Sequence, residues 1–186
     1  MGSAVLLLGG DRPLEFWTRR ILFIEHHLAQ LNVAVAKTPM DSQTMAGFKA
    51  ALEPINAIAD EARGFVWRLQ SEDGDATAIR PYEDERIMVN MSVWESIEAL
   101  RAFVYTSDHT SVMRHRKRWF DELGIHLVLW WVPAGHEPTV EQAKERLEHL
   151  TRRGPTPYAF TFRASFPAPD ADREAARIDD EIGCPA

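Results

Sequence analysis

Alternation of apolar and polar residues is the strongest signal in this chain, and it becomes regular at His27. The run "HLAQLNVAVAK" (27–37) alternates and is rich in Val and Leu, which predicts a strand. Met45, Phe48, Leu52 and Ile55 then recur at helical spacing. They predict a helix capped by Asp41 or Ser42 and running to about Ala62, kinked or restarted at Pro54 and closed by Gly64. "FVWRLQ" (65–70) and "RIMVNMSVW" (86–94) predict two more strands, joined by the polar, turn-rich surface stretch 71–85. A helical stretch covers 95–121, with a break near Thr106 and Ser107, and "HLVLWWV" (126–132) predicts a fourth strand. Thr139 and Gln142 form a capping-box signature ahead of "VEQAKERLEHL", which stops at Gly154 and Pro155. "YAFTFRASF" (158–166) predicts a last strand.

The order through residue 132 is β-α-β-β-α-β. That is an α+β, ferredoxin-like arrangement, a four-stranded antiparallel sheet with two helices on one face. A further helix and strand extend it. The predicted domain is 27–166, with 1–26 a loosely attached N-terminal extension and 167–186 a Pro/Asp-rich, poorly ordered C-terminal tail.

Successive strand residues point to opposite faces, so each strand splits into two sets. One set is almost wholly apolar: Leu31, Val33 and Val35; Phe65, Trp67 and Leu69; Val89, Met91 and Val93; Phe160 and Phe162. It is expected under the helices. The other set mixes polar and large apolar groups: Gln30 and Asn32; Val66, Arg68 and Gln70; Asn90, Ser92 and Trp94; Thr161 and Arg163. Two arrangements fit that face. It is either half-solvated, as in many antiparallel sheets, or covered, with its polar groups orienting a small ligand.

Composition narrows the function classes. The chain has 186 residues, enough for one domain, and 45% hydrophobic with 26% charged residues is ordinary for a globular protein. A net charge of −7 argues against a nucleic-acid partner, whose phosphates call for basic surface. Cys184 is the single cysteine, so there is no intrachain disulfide and no thiolate metal site, and a reducing cytoplasm is the expected compartment. "SAVLLLGG" is apolar but short, so no membrane span is expected.

The run "RIMVNMSVWESIEALRAFVYTSDHTSVMRHRKRWF" resembles the strand-helix core of the dimeric α/β-barrel superfamily, whose best-known relatives are the antibiotic-biosynthesis monooxygenases. Together with "HLAQLNVA", "GFVWRLQ" and "LVLWWVPAGHEPTVEQAKERLEHLTRRGPTPYAFTF", it is similar to a bacterial family known only as a domain of unknown function. The resemblance spans about residues 27 to 166. It implies a homodimer in which two ferredoxin-like sheets pack face to face into an α/β barrel, with a pocket beside each sheet. Members of the superfamily include cofactor-free monooxygenases, cyclases, isomerases and haem-binding enzymes, so fold alone does not select the chemistry.

His109 is the expected catalytic residue. With Ser107 capping a helix, positions 109, 112, 113, 116 and 120 share one stripe that carries Val112, Met113 and Phe120. His109 then faces inward, either as a hydrogen-bonded core or cap histidine or as a neutral acid/base in a pocket. The resemblance favours the pocket role. His115 sits among Arg114, Lys117 and Arg118 and belongs to a solvated basic face. Asn32, Arg68, Asn90 and Arg163 are candidates for binding an anionic or carbonyl-bearing substrate, or else for inter-sheet pairing. Trp94 is a core or interface aromatic, or else a pocket wall. No metal motif is present and no cofactor is expected; the alternative is haem held through His109. The reading is a pocket for a small hydrophobic, oxygen-bearing molecule, acted on by a cofactor-independent monooxygenase- or isomerase-like enzyme. A non-catalytic binding or sensing module is the other reading.

Overall fold

A computed structural model describes residues 25–106, 116–122 and 126–169. The chain forms β1 (His26–Val35), α1 (Ala46–Asp60), β2 (Phe65–Arg68), β3 (Ile87–Trp94), α2 (Ile97–Thr106), β4 (Leu127–Pro133) and α3 (Val140–Arg153). The strands make one sheet in the order β2-β3-β1-β4, with antiparallel pairing throughout. This is the predicted ferredoxin-like α+β fold with one added helix.

Local expectations fare differently. Thr139 caps α3 in a full capping box with Gln142, and Gly154 ends the helix at φ 73°. Ser42 does not cap α1: its hydroxyl bonds Thr38 at 2.7 Å, and a 3-10 turn over Gln43–Met45 leads into the helix instead. Pro54 sits inside a continuous α1 and does not restart it. Gly64, at φ 78°, turns the chain into β2, and a Cβ there would come within 2.7 Å of the Ala99 Cβ on α2. Only glycine fits both that conformation and that contact.

The predicted strand 158–166 is replaced by isolated bridges. Phe160 pairs with Leu129 through two 2.9 Å hydrogen bonds, while tight turns close Thr156 on Ala159 and Thr161 on Ala164. Those turns use backbone groups that a ladder would need, and Pro157 lacks the N–H to donate.

The two faces of the sheet are covered the opposite way from expectation. The apolar set, Leu31, Val33, Val89, Met91 and Val93, packs with Val128 and Trp130 under α3 (Ala143, Leu147 and Leu150). The 71–85 connection contributes Ile79 and Tyr82 to the same cluster. The mixed set faces α1 and α2. There Leu28, Trp94 and Leu129 pack on Ile97 and Leu100, with Phe160 and Phe162 joining this side. At the other end of that face, Ala36 and Met88 pack on Met45, Phe48, Trp119 and Phe120. Phe65 also changes side: a bulge between Phe65 and Trp67 lets Phe65 sit opposite Trp94 while Trp67 keeps to the α3 face. Trp130 and Trp131 point to opposite faces, as neighbours in a strand must.

Candidate functional site

Polar side chains form a row on the face turned toward α1 and α2. Register places Gln30 opposite Ser92 and Asn32 opposite Asn90 on the two central strands. Trp94 Nε1 donates to Ser92 Oγ at 2.8 Å. Gln30 Nε2 donates to Ser92 Oγ at 3.0 Å and to Asn90 Oδ1 at 2.8 Å. Trp94 is fully buried, and Gln30 and Ser92 are each 7% exposed, whereas Asn90 is exposed and Asn32 half-buried. The row thus runs from a closed end at Trp94 to an open end at the two asparagines.

Apolar groups flank both ends. Trp94 is held edge-on by Phe65 at 5.3 Å and stacked on Phe103 at 5.1 Å. Phe48, against Phe120 at 4.9 Å and Trp119 at 5.8 Å, stands in the cluster at the far end. Buried amides and hydroxyls between two apolar clusters cost free energy unless bonded, which is why the row bonds to itself. The Asn32 amide has no hydrogen-bond partner among the described residues.

The other candidates lie apart from the row. Arg68 stands opposite Ser92 in register, but its guanidinium is held by Asp60 at 2.8 and 3.1 Å and by the Gly74 carbonyl at 2.7 Å. It ties the end of α1 to β2 and the following loop. Arg163 is exposed in the turn Thr161–Ala164. His109 and His115 lie outside the described residues. A groove of about 430 Å³ runs between the end of α1 and α2, lined by Ile58, Ala62, Ala99 and Phe103 with Glu61 and Arg63. Phe103 stands between it and Trp94.

On the α3 side burial perturbs two groups. Arg146 stacks on Tyr158 at 4.0 Å and Trp130 at 5.6 Å, and burial pushes its pKa down. Burial raises the Tyr82 phenol above its usual range, beneath Lys144 at 4.6 Å. Among the described residues no group of three His, Cys, Asp or Glu could hold a metal, and no helix is long and apolar enough to cross a membrane.

Gln30 and Ser92 were placed on the mixed face by alternation but not singled out as site residues. The signal that promotes them is strand register, which pairs them with each other, while the period of two along β3 sets the Trp94 indole beside Ser92.

Residues 27–176 match the family described as Domain of unknown function (DUF3291). The chain belongs to that family. DUF3291 therefore names the domain whose sheet carries the row. A search of curated proteins finds no match. Among solved structures, the chain is similar to a protein of unknown function from Nitrosomonas europaea, at 12% identity and TM-score 0.39 over 63% of this chain and 97% of that one. It is similar to a variant of SnoaB, a cofactor-independent oxygenase from Streptomyces nogalater, at 13% identity and TM-score 0.39, covering 61% and 96% of the two chains. It is also similar to a Pseudomonas aeruginosa protein at 11% identity and TM-score 0.41, covering 61% and 99%.

Proposed function

We propose that this DUF3291 protein binds a small hydrophobic, oxygen-bearing molecule against the polar row of the α1/α2 face and acts on it without a required metal. The observation that carries the reading is the row itself: hydrogen-bonding groups, buried at one end and open at the other, between two apolar clusters. Such a surface orients a guest through a few polar contacts while apolar walls supply most of its burial. Asn90 and Asn32 contact the polar end of the guest, and Trp94 closes the inner end. Arg68 acts at a distance by fixing α1 to β2.

His109 is the proposed acid/base, three positions after Thr106, the last described residue of α2. A neutral imidazole would take a proton from a phenol or an α-carbon, the first step of either monooxygenation or isomerisation. The same reading includes a homodimer. The α3 helix packs on the apolar face of the sheet, so the proposed partner is not placed there.

The test is turnover of a panel of polycyclic phenols and hydroxy-ketones, followed by mass spectrometry and oxygen uptake. Wild-type protein is expected to convert at least one compound, and His109→Ala to bind it with turnover at least 100-fold lower. Binding without turnover in both proteins makes the domain a sensor. Binding that Asn90→Leu does not weaken removes the row from the site.

A further inference from the structure

Hydrogen-bond accounting along the row gives two residues specific jobs. The Trp94 indole N–H can only donate, and it donates to Ser92 Oγ. Gln30 Nε2 donates to the same oxygen. A serine oxygen has two lone pairs, so both are taken and its own hydrogen must donate outward. No acceptor for it exists among the described residues. The second Gln30 N–H goes to Asn90 Oδ1, which leaves the Asn90 Nδ2 group with two hydrogens unused among the described residues.

We infer that Gln30 is a positioning residue that sets which end of the Asn90 amide a ligand meets, and that Ser92, not Trp94, is the donor at the closed end. The inference rests on the pocket reading above and adds its polarity. Asn90 Nδ2 and Ser92 Oγ–H are the donors this setting leaves for the guest; the Asn32 amide offers both a donor and an acceptor and favours neither, so the setting of Gln30 tilts the row toward an acceptor oxygen. Arg68, the cation opposite Ser92, is neutralised by Asp60 and donates a further hydrogen bond to the Gly74 carbonyl. The preferred acceptor is therefore an uncharged carbonyl rather than a carboxylate or phosphate. The reverse setting, with Gln30 Oε1 toward Asn90 and Ser92, would absorb the serine proton and present Asn90 Oδ1 instead. The two settings predict opposite ligand preferences.

The experiment compares two probes of similar size, 1-tetralone (an acceptor only) and 1-naphthol (a donor), by NMR titration at pH 8. Wild type is expected to bind 1-tetralone more tightly. Gln30→Glu offers only acceptors to Asn90 and Ser92, pulls both donors inward, and is expected to shift the affinity ratio at least about 10-fold toward 1-naphthol. Gln30→Met, which cannot mispair, is expected to bring the ratio toward one and covers the case in which a buried glutamate prevents folding. A purely structural role for Gln30 would weaken both probes alike. An unchanged ratio in folded variants overturns the inference, as does a wild-type preference for 1-naphthol. If neither probe binds wild type, the pocket reading fails. The inference is then read without ligand, from nuclear Overhauser contacts between the Gln30 side-chain NH2 and the Ser92 β protons. Their presence supports it and their absence overturns it.

Discussion

Leu150→Ala measures how far the added helix, rather than a partner sheet, holds the apolar face of the sheet. Leu150 is 1% exposed and belongs to the cluster that joins α3 to Leu31, Met91, Val128 and Trp130. The substitution removes three buried carbons, worth about 2.4 kcal/mol in transfer at about 0.8 kcal/mol per methylene. The cavity it leaves adds to that, giving a total of about 3 to 4 kcal/mol, within the range of about 2 to 5 kcal/mol for buried leucines. Helix propensity offsets only a few tenths, because Ala is the better helix former. Urea denaturation followed by tryptophan fluorescence reads the loss as a lower midpoint at unchanged slope. Amide exchange should rise along β1 and β4, the strands that α3 contacts. A loss below about 1 kcal/mol, with exchange unchanged in those strands, would refute the packing of α3 on this face.

Gly64→Ala should cost about 2 to 4 kcal/mol in the same assay, because φ 78° disfavours a side chain and its Cβ would meet Ala99 at 2.7 Å; a neutral result would separate α2 from that turn. Ser92→Ala leaves the buried Trp94 N–H without its acceptor, with an expected loss of about 1 to 3 kcal/mol. Its indole proton should move upfield in the NMR spectrum, and an unmoved resonance would break the row at that link. Asp60→Asn and Arg68→Met in a double-mutant cycle should show coupling near or below about 1 kcal/mol, because Asp60 is 43% exposed and water screens the pair. Burial raises the Tyr82 pKa in the folded protein above its unfolded value. Its contribution to stability is complete below the unfolded value near 10 and fades as pH rises through the folded one. Tyr82→Phe should flatten this alkaline loss, and an identical pH profile would contradict the shift.

Much of the fold was legible because the strands alternate cleanly and the turns carry their own chemistry. The capping box at Thr139 and the stop at Gly154 follow from residue types at fixed offsets, and the β-α-β-β-α-β succession follows from the alternation of its strands. The covering of the faces was not legible, for two physical reasons. Alternation separates two faces but does not say which helix lies on which. The bulge at Phe65–Trp67 also breaks the period of two within β2, so residues two apart do not share a face there. The last strand failed because Phe160 and Phe162 look like alternation, whereas the chain around them is folded into tight turns. In the site, Asn32, Asn90 and Trp94 stood out as polar or aromatic residues on a mixed face. Gln30 did not, since one glutamine between Ala29 and Leu31 gains meaning only when register sets it against Ser92 and Asn90. Arg68 stood out by its charge, but its partner Asp60 lies eight residues back on a helix, a pairing no strand pattern contains.

A guest seated on the α1/α2 face against the polar row leaves its mark on the side chains it touches. Titrating 1-tetralone into labelled wild-type protein, with the tryptophan indole and side-chain amide resonances assigned, tests that placement most directly. Shifts are expected at the Trp94 indole and at the Asn90 and Asn32 side-chain amides, with Trp130 on the α3 face unmoved. Shifts at Trp130 with Trp94 and Asn90 silent would contradict the placement.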